Sequence, residues 1–185
     1  MTAALAIVVL LAGPPAVDSA AAQGVLRRIE ERHARAGDLT ARFVQVYRSG
    51  LLGREVTERG VVSIKRPGRM RWEYKDPEPK TFISDGTTFY FYVPADRQVI
   101  VKAQDEERSL PCLLLSGKTD ILGQFAAELV TPPGEGVLRL RLTPRTPEPE
   151  IDEVLVDVEP SGRVRHIQVE DAQGNRSRFR FDDIR

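Results

Sequence analysis

From Gly60 to Val101 the chain alternates apolar and polar residues, stops at a turn signal, and resumes. The stops are Arg66-Pro67-Gly68, Lys75-Asp76-Pro77, Asp85-Gly86 and Pro94-Ala95-Asp96. Alternation with a period of two puts successive side chains on opposite faces of an extended backbone. Runs of that kind, separated by short turn-forming clusters, fold as consecutive antiparallel strands. The same stretch holds the only tryptophan, three of the four tyrosines and three of the seven phenylalanines. Aromatic side chains bury large apolar areas. Gathering them in one meander implies a sheet with one strongly apolar face.

The flanking chain extends this pattern. Val25 to Ala36 reads as a helix with Val25, Ile29 and Ala36 on one face, Leu26 and His33 at its edge, and Gly37-Asp38 ending it. Thr40–Tyr47 and Glu55–Lys65 are strands, joined by a turn around Gly50 and Gly53. Strands follow at Met70–Tyr74, Thr81–Ser84, Thr87–Val93 and Gln98–Lys102, the middle pair closing through Asp85-Gly86. The pattern then changes. Leu110–Gly117 is apolar without alternation, with proline near its start and glycine at its end, which fits a short helix. Asp120–Phe125 is a second candidate helix. Alternation returns at Leu138–Leu142, and after a proline-rich loop at Thr143–Glu150 it continues through Ile151–Val158, Val164–Glu170 and Ser177–Phe181. The expectation is mainly β: about nine or ten strands in an antiparallel meander, with two or three short helices. A meander that long curls into a barrel or half-barrel to hide its edges. The apolar helices either cap its open end or form a movable cover.

The 185 residues suggest one domain, and the 27 basic residues balance 27 acidic ones. No overall field draws such a chain onto nucleic acid or an anionic membrane. Thr2–Ala12 is apolar and too short to span a membrane, and it leads into Gly13-Pro14-Pro15-Ala16 and the small residues Ser19–Ala22. Residues 1–22 therefore read as a signal peptide, although a positive n-region is missing, and 23–185 as the working domain. The single cysteine, Cys112, rules out an intrachain disulfide and reads as a buried apolar thiol. The two histidines, His33 and His166, fall on unrelated elements with no nucleophile motif beside them. Neither clustered metal ligands nor a glycine-rich phosphate loop is present. Binding, rather than catalysis, is the expected activity, with no cofactor and no metal.

Several motifs in order resemble one family, the periplasmic outer-membrane lipoprotein carriers, LolA. They are Phe43-Val44-Gln45, Lys65-Arg66-Pro67, Trp72, Ser84-Asp85-Gly86, Phe91-Tyr92-x-Pro94, the apolar Pro111–Leu115 and the tail Ile167–Phe181. The likeness covers about Val25 to Phe181. It implies an unclosed antiparallel β-barrel whose apolar concave face lies under a lid of short helices. It also implies a monomeric periplasmic carrier of acylated lipoproteins. Such a carrier is loaded by an inner-membrane ABC transporter and unloaded at an outer-membrane receptor, LolB, which has a related fold but is itself lipid-anchored. By motif position Arg66 matches the arginine that holds the lid shut. Phe43, Met70, Trp72, Phe89, Leu113, Leu114 and Leu115 are the expected lining of the acyl-chain cavity. The same half-barrel also serves periplasmic regulators that sense lipids or lipoproteins, and that is the alternative reading.

Overall fold

The computed structural model describes residues 19–103, 115, 121–131 and 134–185. A 16-residue helix, α1 (Ala20–Arg35), precedes β1 (Asp38–Arg48), β2 (Glu55–Lys65), β3 (Arg69–Asp76), β4 (Lys80–Ser84), β5 (Thr88–Val93) and β6 (Gln98–Ala103). A four-residue helix, α2 (Ile121–Gln124), leads into β7 (Phe125–Val130), β8 (Leu138–Pro144), β9 (Glu153–Val158), β10 (Val164–Glu170) and β11 (Arg176–Asp182). All eleven strands form one sheet, ordered β6-β5-β4-β3-β2-β1-β11-β10-β9-β8-β7. Every neighbouring pair is antiparallel. Two meanders thus spread outward from a central β1–β11 seam, and β6 and β7 are the outermost of the described strands in an unclosed sheet.

The sheet is strongly curved. β3 and β11 are three strand spacings apart, about 14 Å on a flat sheet. Yet the Trp72 ring centroid lies 5.7 Å from that of Phe179 and 6.1 Å from that of Phe181. Curling brings these rings together over the small residues between them. Gly60 is one: a Cβ there would sit 2.7 Å from the Phe43 ring and 2.1 Å from the Glu73 carbonyl oxygen. Only glycine lets the ring lie down on the backbone at that point.

α1 begins earlier than its periodicity suggested. Ser19 is the N-cap, its hydroxyl accepting from the Ala22 amide at 3.0 Å, and its own amide donates to the Ala127 carbonyl at 3.2 Å. The expected leader boundary at residue 22 therefore falls inside the first turn, where Ala22 is fully buried. α1 packs Val25, Leu26 and Ile29 on the β7 side of the sheet. Its middle rests on the β9–β10 turn so closely that a Cβ at Gly162 would lie 2.5 Å from the Arg28 carbonyl oxygen.

β7 is the strand that the sequence pattern did not show. Phe125, Ala126 and Ala127 are buried in succession, so the alternation that marks a half-wet strand is missing. β8 also runs two residues into the proline-rich stretch, which then closes through a single bridge from Glu148 to Ile151. Of the candidate helix at 110–117, including Cys112, only Leu115 lies within the described residues, and it is helical.

Candidate functional site

The inner face is built in rows, because the antiparallel ladders hold residues of matching parity side by side. The middle row is Ala41, Val62, Trp72, Phe82, Phe91 and Ile100. Toward the β2–β3 corner lies Leu39, Ile64, Met70, Ser84 and Phe89. On the other side lies Phe43, Gly60, Tyr74 and Lys80. The rings form a continuous wall. Phe43 meets Trp72 at 5.0 Å and Tyr74 at 4.9 Å edge to face; Tyr74 meets Phe82 at 5.4 Å; and Phe82 stacks on Phe91 at 4.3 Å. Pairs in these geometries are worth about 0.5–1.5 kcal/mol beyond the area they bury.

Five of the seven residues expected to line a cavity converge on this face. Phe43, Met70, Trp72, Phe89 and Leu115 are all buried. Leu113 and Leu114 lie outside the described residues. The Trp72 indole N–H is buried and meets no hydrogen-bond acceptor among the described residues. Covering of the wall thins toward β6. Phe82 and Phe91 are only half-buried, and Val99, Ile100 and Val101 are exposed.

Arg66 sits at the end of β2, where the chain turns through Pro67 into β3. Its guanidinium reaches two separate pieces of backbone. Nη1 donates to the Ala36 carbonyl at the C-cap of α1, 2.6 Å away, and Nη2 donates to the Leu115 carbonyl at 3.3 Å. The planar fork of arginine suits such a bridge, since one side chain presents donors in fixed divergent directions. Nε is buried without a partner among the described residues. Burial pulls the Arg66 pKa below the ordinary arginine value. The side chain nevertheless stays charged at neutral pH. His33, one turn back from Ala36, is buried, and its pKa is pushed down to about 4 by desolvation first and then by the charges of Arg66 and Arg32. It is a neutral filler beside a cation. Next to it, Leu39, Ala41, Leu115, Val164, Phe181 and Ile184 help to line a cavity of about 90 Å³. Pockets for small molecules usually measure ~300–1,000 Å³. This cavity, between the end of α1 and the sheet, is smaller than that.

Sequence reading missed a polar belt at the opposite end of the wall. The Tyr74 hydroxyl donates to Gln45 Oε1 at 2.6 Å, and Lys80 Nζ donates to Glu58 Oε1 at 2.5 Å while lying 4.6 Å above the Tyr74 ring. The glutamine of Phe43-Val44-Gln45 was its one visible signal. The Ser84-Asp85-Gly86 motif proves to be turn chemistry. Asp85 accepts from the Thr87 and Thr88 amides at 2.9 and 2.8 Å, and these bonds hold its carboxyl below the usual range. Ser84 donates to the Gly68 carbonyl, tying this hairpin to the β2–β3 turn.

His166 lies 3.4 Å from Asp157, which is gripped bidentately by Arg139 at 2.6 and 2.9 Å. Burial pushes the Asp157 carboxyl up, but bonds from His166 and Arg139 outweigh it and leave the pKa below its ordinary value. Among the described residues no serine or cysteine is bonded to the group, which is an Arg139–Asp157 ion pair with His166 beside it. Among the described residues no group of three or more His, Cys, Asp or Glu is placed to hold a metal.

A curved, unclosed sheet with an aromatic inner face and an arginine clasp at one corner describes a binding scaffold. The family described as outer membrane lipoprotein carrier protein LolA matches residues 34–185. The chain belongs to this family. Among the relatives is the outer-membrane lipoprotein carrier protein of Pseudomonas aeruginosa strain UCBPP-PA14. It is 33% identical over 169 residues, which cover 91% of this chain and 78% of that one. The carrier protein of Chromohalobacter salexigens is 34% identical over 127 residues, covering 68% of this chain and 59% of its own length. In fold, the chain is similar to the LolA superfamily protein NE2245 from Nitrosomonas europaea, with a TM-score of 0.50 at 15% identity over 89% of this chain and 92% of that one. MucB gives a TM-score of 0.52 at 19% identity over 90% of this chain and 59% of MucB. These last two likenesses concern the fold alone.

Proposed function

We propose that this chain is a soluble periplasmic carrier that binds the acyl chains of lipoproteins. It receives them from an inner-membrane ABC transporter and delivers them to an outer-membrane receptor. The observation that carries the reading is the aromatic inner face of an unclosed sheet, latched at one corner by Arg66. Family membership supports the cargo class. The apolar segment at 1–12 supports export, with residues 1–22 or a little less as the leader.

The physics suits that task. Burying an acyl chain is worth ~0.8 kcal/mol per methylene, on the order of 12 kcal/mol for a chain of about sixteen carbons. Cargo held that firmly does not leave into water on a useful timescale, so it passes directly to a tighter acceptor. Such a carrier acts by binding and needs no catalytic group. An empty apolar cavity invites aggregation. A cover that shuts when the cargo is gone avoids this, and Arg66 is the proposed lock, bridging the end of α1 and Leu115. Opening breaks two charge-assisted bonds and exposes the wall formed by Phe43, Met70, Trp72 and Phe89. Leu113, Leu114 and Leu115 are proposed as the matching face of the cover.

The test is native mass spectrometry of the protein recovered from the periplasm of lipoprotein-producing cells. A one-to-one complex with an acylated lipoprotein is the expected result. Protein carrying only loosely held phospholipid would overturn the carrier reading in favour of a lipid-sensing regulator of the same fold.

A further inference from the structure

The hairpin joining β1 to β2 reads Arg48-Ser49-Gly50-Leu51-Leu52-Gly53-Arg54, two leucines between two glycines and two arginines. Leu51 is 91% exposed and Leu52 66%. Scattered exposed leucines need no explanation, but these sit together on a turn that is firmly built. The Ser49 amide donates to the Arg54 carbonyl at 3.0 Å, the Gly53 amide to the Ser49 carbonyl at 2.9 Å, and the Leu52 amide to Ser49 Oγ at 3.2 Å. The turn is also tied sideways. The Gly50 amide donates to Asn175 Oδ1 at 3.0 Å, and Asn175 is held in turn by Asp171 at 2.7 Å. Gly50 lies so near the β10–β11 turn that a Cβ would come within 2.5 Å of the Gln173 carbonyl oxygen. The leucines therefore project from a braced tip.

Their surroundings are ordered by charge. Glu55 pairs with Arg178 and Glu170 with Arg176, while Asp171 is occupied by the amides of its own turn. Arg48 and Arg54 make no ion pair or side-chain hydrogen bond among the described residues. One register in from the tip, Tyr47 and Val56 face each other across the ladder and are 38% and 47% exposed. The apolar surface thus continues from the tip onto the rim of the inner face.

We propose that the β1–β2 hairpin docks the protein transiently on an anionic phospholipid surface, Leu51 and Leu52 entering the interface and Arg48 and Arg54 meeting lipid phosphates. Two leucines on a narrow turn offer far less area than the ~1,000 Å² of a specific protein interface. An apolar tip with a cationic collar matches the layered polarity of a bilayer surface, where long basic side chains reach back to the headgroups. A braced tip also loses little conformational freedom on insertion. Near-zero net charge keeps the attachment local and weak. This inference is independent of the carrier reading, since acyl-chain binding is a separate readout.

The experiment is flotation of the protein recovered from the periplasm with vesicles of phosphatidylglycerol and phosphatidylethanolamine, alongside vesicles of phosphatidylcholine alone. The natural sequence is expected to float with the anionic vesicles, and to do so less as salt rises. Leu51→Ser with Leu52→Ser should lower that partitioning about tenfold or more. Its thermal midpoint and its binding of an acylated peptide should be unchanged. Arg48→Gln with Arg54→Gln should erase the preference for anionic over zwitterionic vesicles. Equal partitioning by the natural chain and the leucine variant would overturn the proposal. So would a natural chain that floats with neither vesicle type, which would assign the leucines to a protein partner.

Discussion

The two wings of the sheet differ in what they do with the same architecture. The β7–β10 wing is aliphatic apart from Phe125: Leu140, Leu142, Val154, Val156, Val158 and Ile167 are at 0% exposure, packed in one core with Val25, Leu26 and Ile29 of α1. The β3–β6 wing is aromatic, and its burial runs down from Trp72 through half-buried Phe82 and Phe91 to the wholly exposed β6. Branched aliphatic residues interlock at crystal-like density and leave no room. Flat rings that line a wall leave a surface onto which a flexible chain can pack. One wing provides stability, and the other keeps an apolar face available. The Arg66 clasp lies where the two meet.

The sharpest test separates these roles. Leu140→Ala should cost about 2–5 kcal/mol in chemical unfolding. It should leave acyl-chain binding by the folded fraction unchanged. Phe82→Ala, at a half-buried position, should cost only about 1–2 kcal/mol but weaken binding of an acylated peptide clearly. Equal destabilisation by the two, with binding intact in both, would erase the distinction between the wings.

His33 is buried in the last turn of α1 and should make the fold sensitive to acid. Unfolded, it takes up a proton below pH 6.5; folded, it does so only near pH 4. The unfolded state binds more protons between those values, so stability rises with pH across the window and falls on acidification. The loss should approach about 3 kcal/mol at pH 4. Replacement by glutamine should flatten the pH 4–6.5 part of the stability curve. An unaltered slope would mean that other groups carry the acid sensitivity.

Arg66→Leu acts on the joint between the wings. Hydrogen bonds to charged groups are worth about 1.5–3 kcal/mol, so losing the clasp should shift opening roughly ten- to a hundredfold. Hand-over of a fluorescent acylated peptide to an acceptor should change accordingly, with circular dichroism unaltered. Arg66→Lys should rescue poorly, because an ammonium lacks the divergent fork. Normal transfer by the leucine variant would remove Arg66 from the mechanism, and normal transfer by the lysine variant would remove only the need for the fork.

The smallest effect is expected at the polar belt. Tyr74→Phe strands the Gln45 carbonyl oxygen and should cost about 1 kcal/mol, seen as a modest drop in the urea midpoint. A neutral result would mean that water reaches Gln45 from the open end.

Most strands were legible because one face is wet. β2 and β10 run between the residues that alternation marks, Glu55–Lys65 and Val164–Glu170. Legibility failed where wetting failed: β7 is covered by α1 and reads as featureless apolar chain. The Ser19 cap was overlooked because a small-residue run serves a leader and a first helical turn equally well. Among site residues, the arginine and the aromatic wall were visible as motifs. The partners of Arg66 and the Tyr74–Gln45 and Lys80–Glu58 pairs were not, because each joins residues on different elements.

Sequence alone determined the meander, the crowding of rings on one face and the membership of a family, since these rest on period, composition and motif order along the chain. The unclosed sheet was implied by the family resemblance, whereas tertiary structure decided that it curls until Trp72 touches Phe179 and that Arg66 spans two backbones. Those outcomes depend on distances between residues remote in sequence. Such distances are set by twist, by the small residues that let the sheet bend, and by the packing of α1, and no local pattern encodes them.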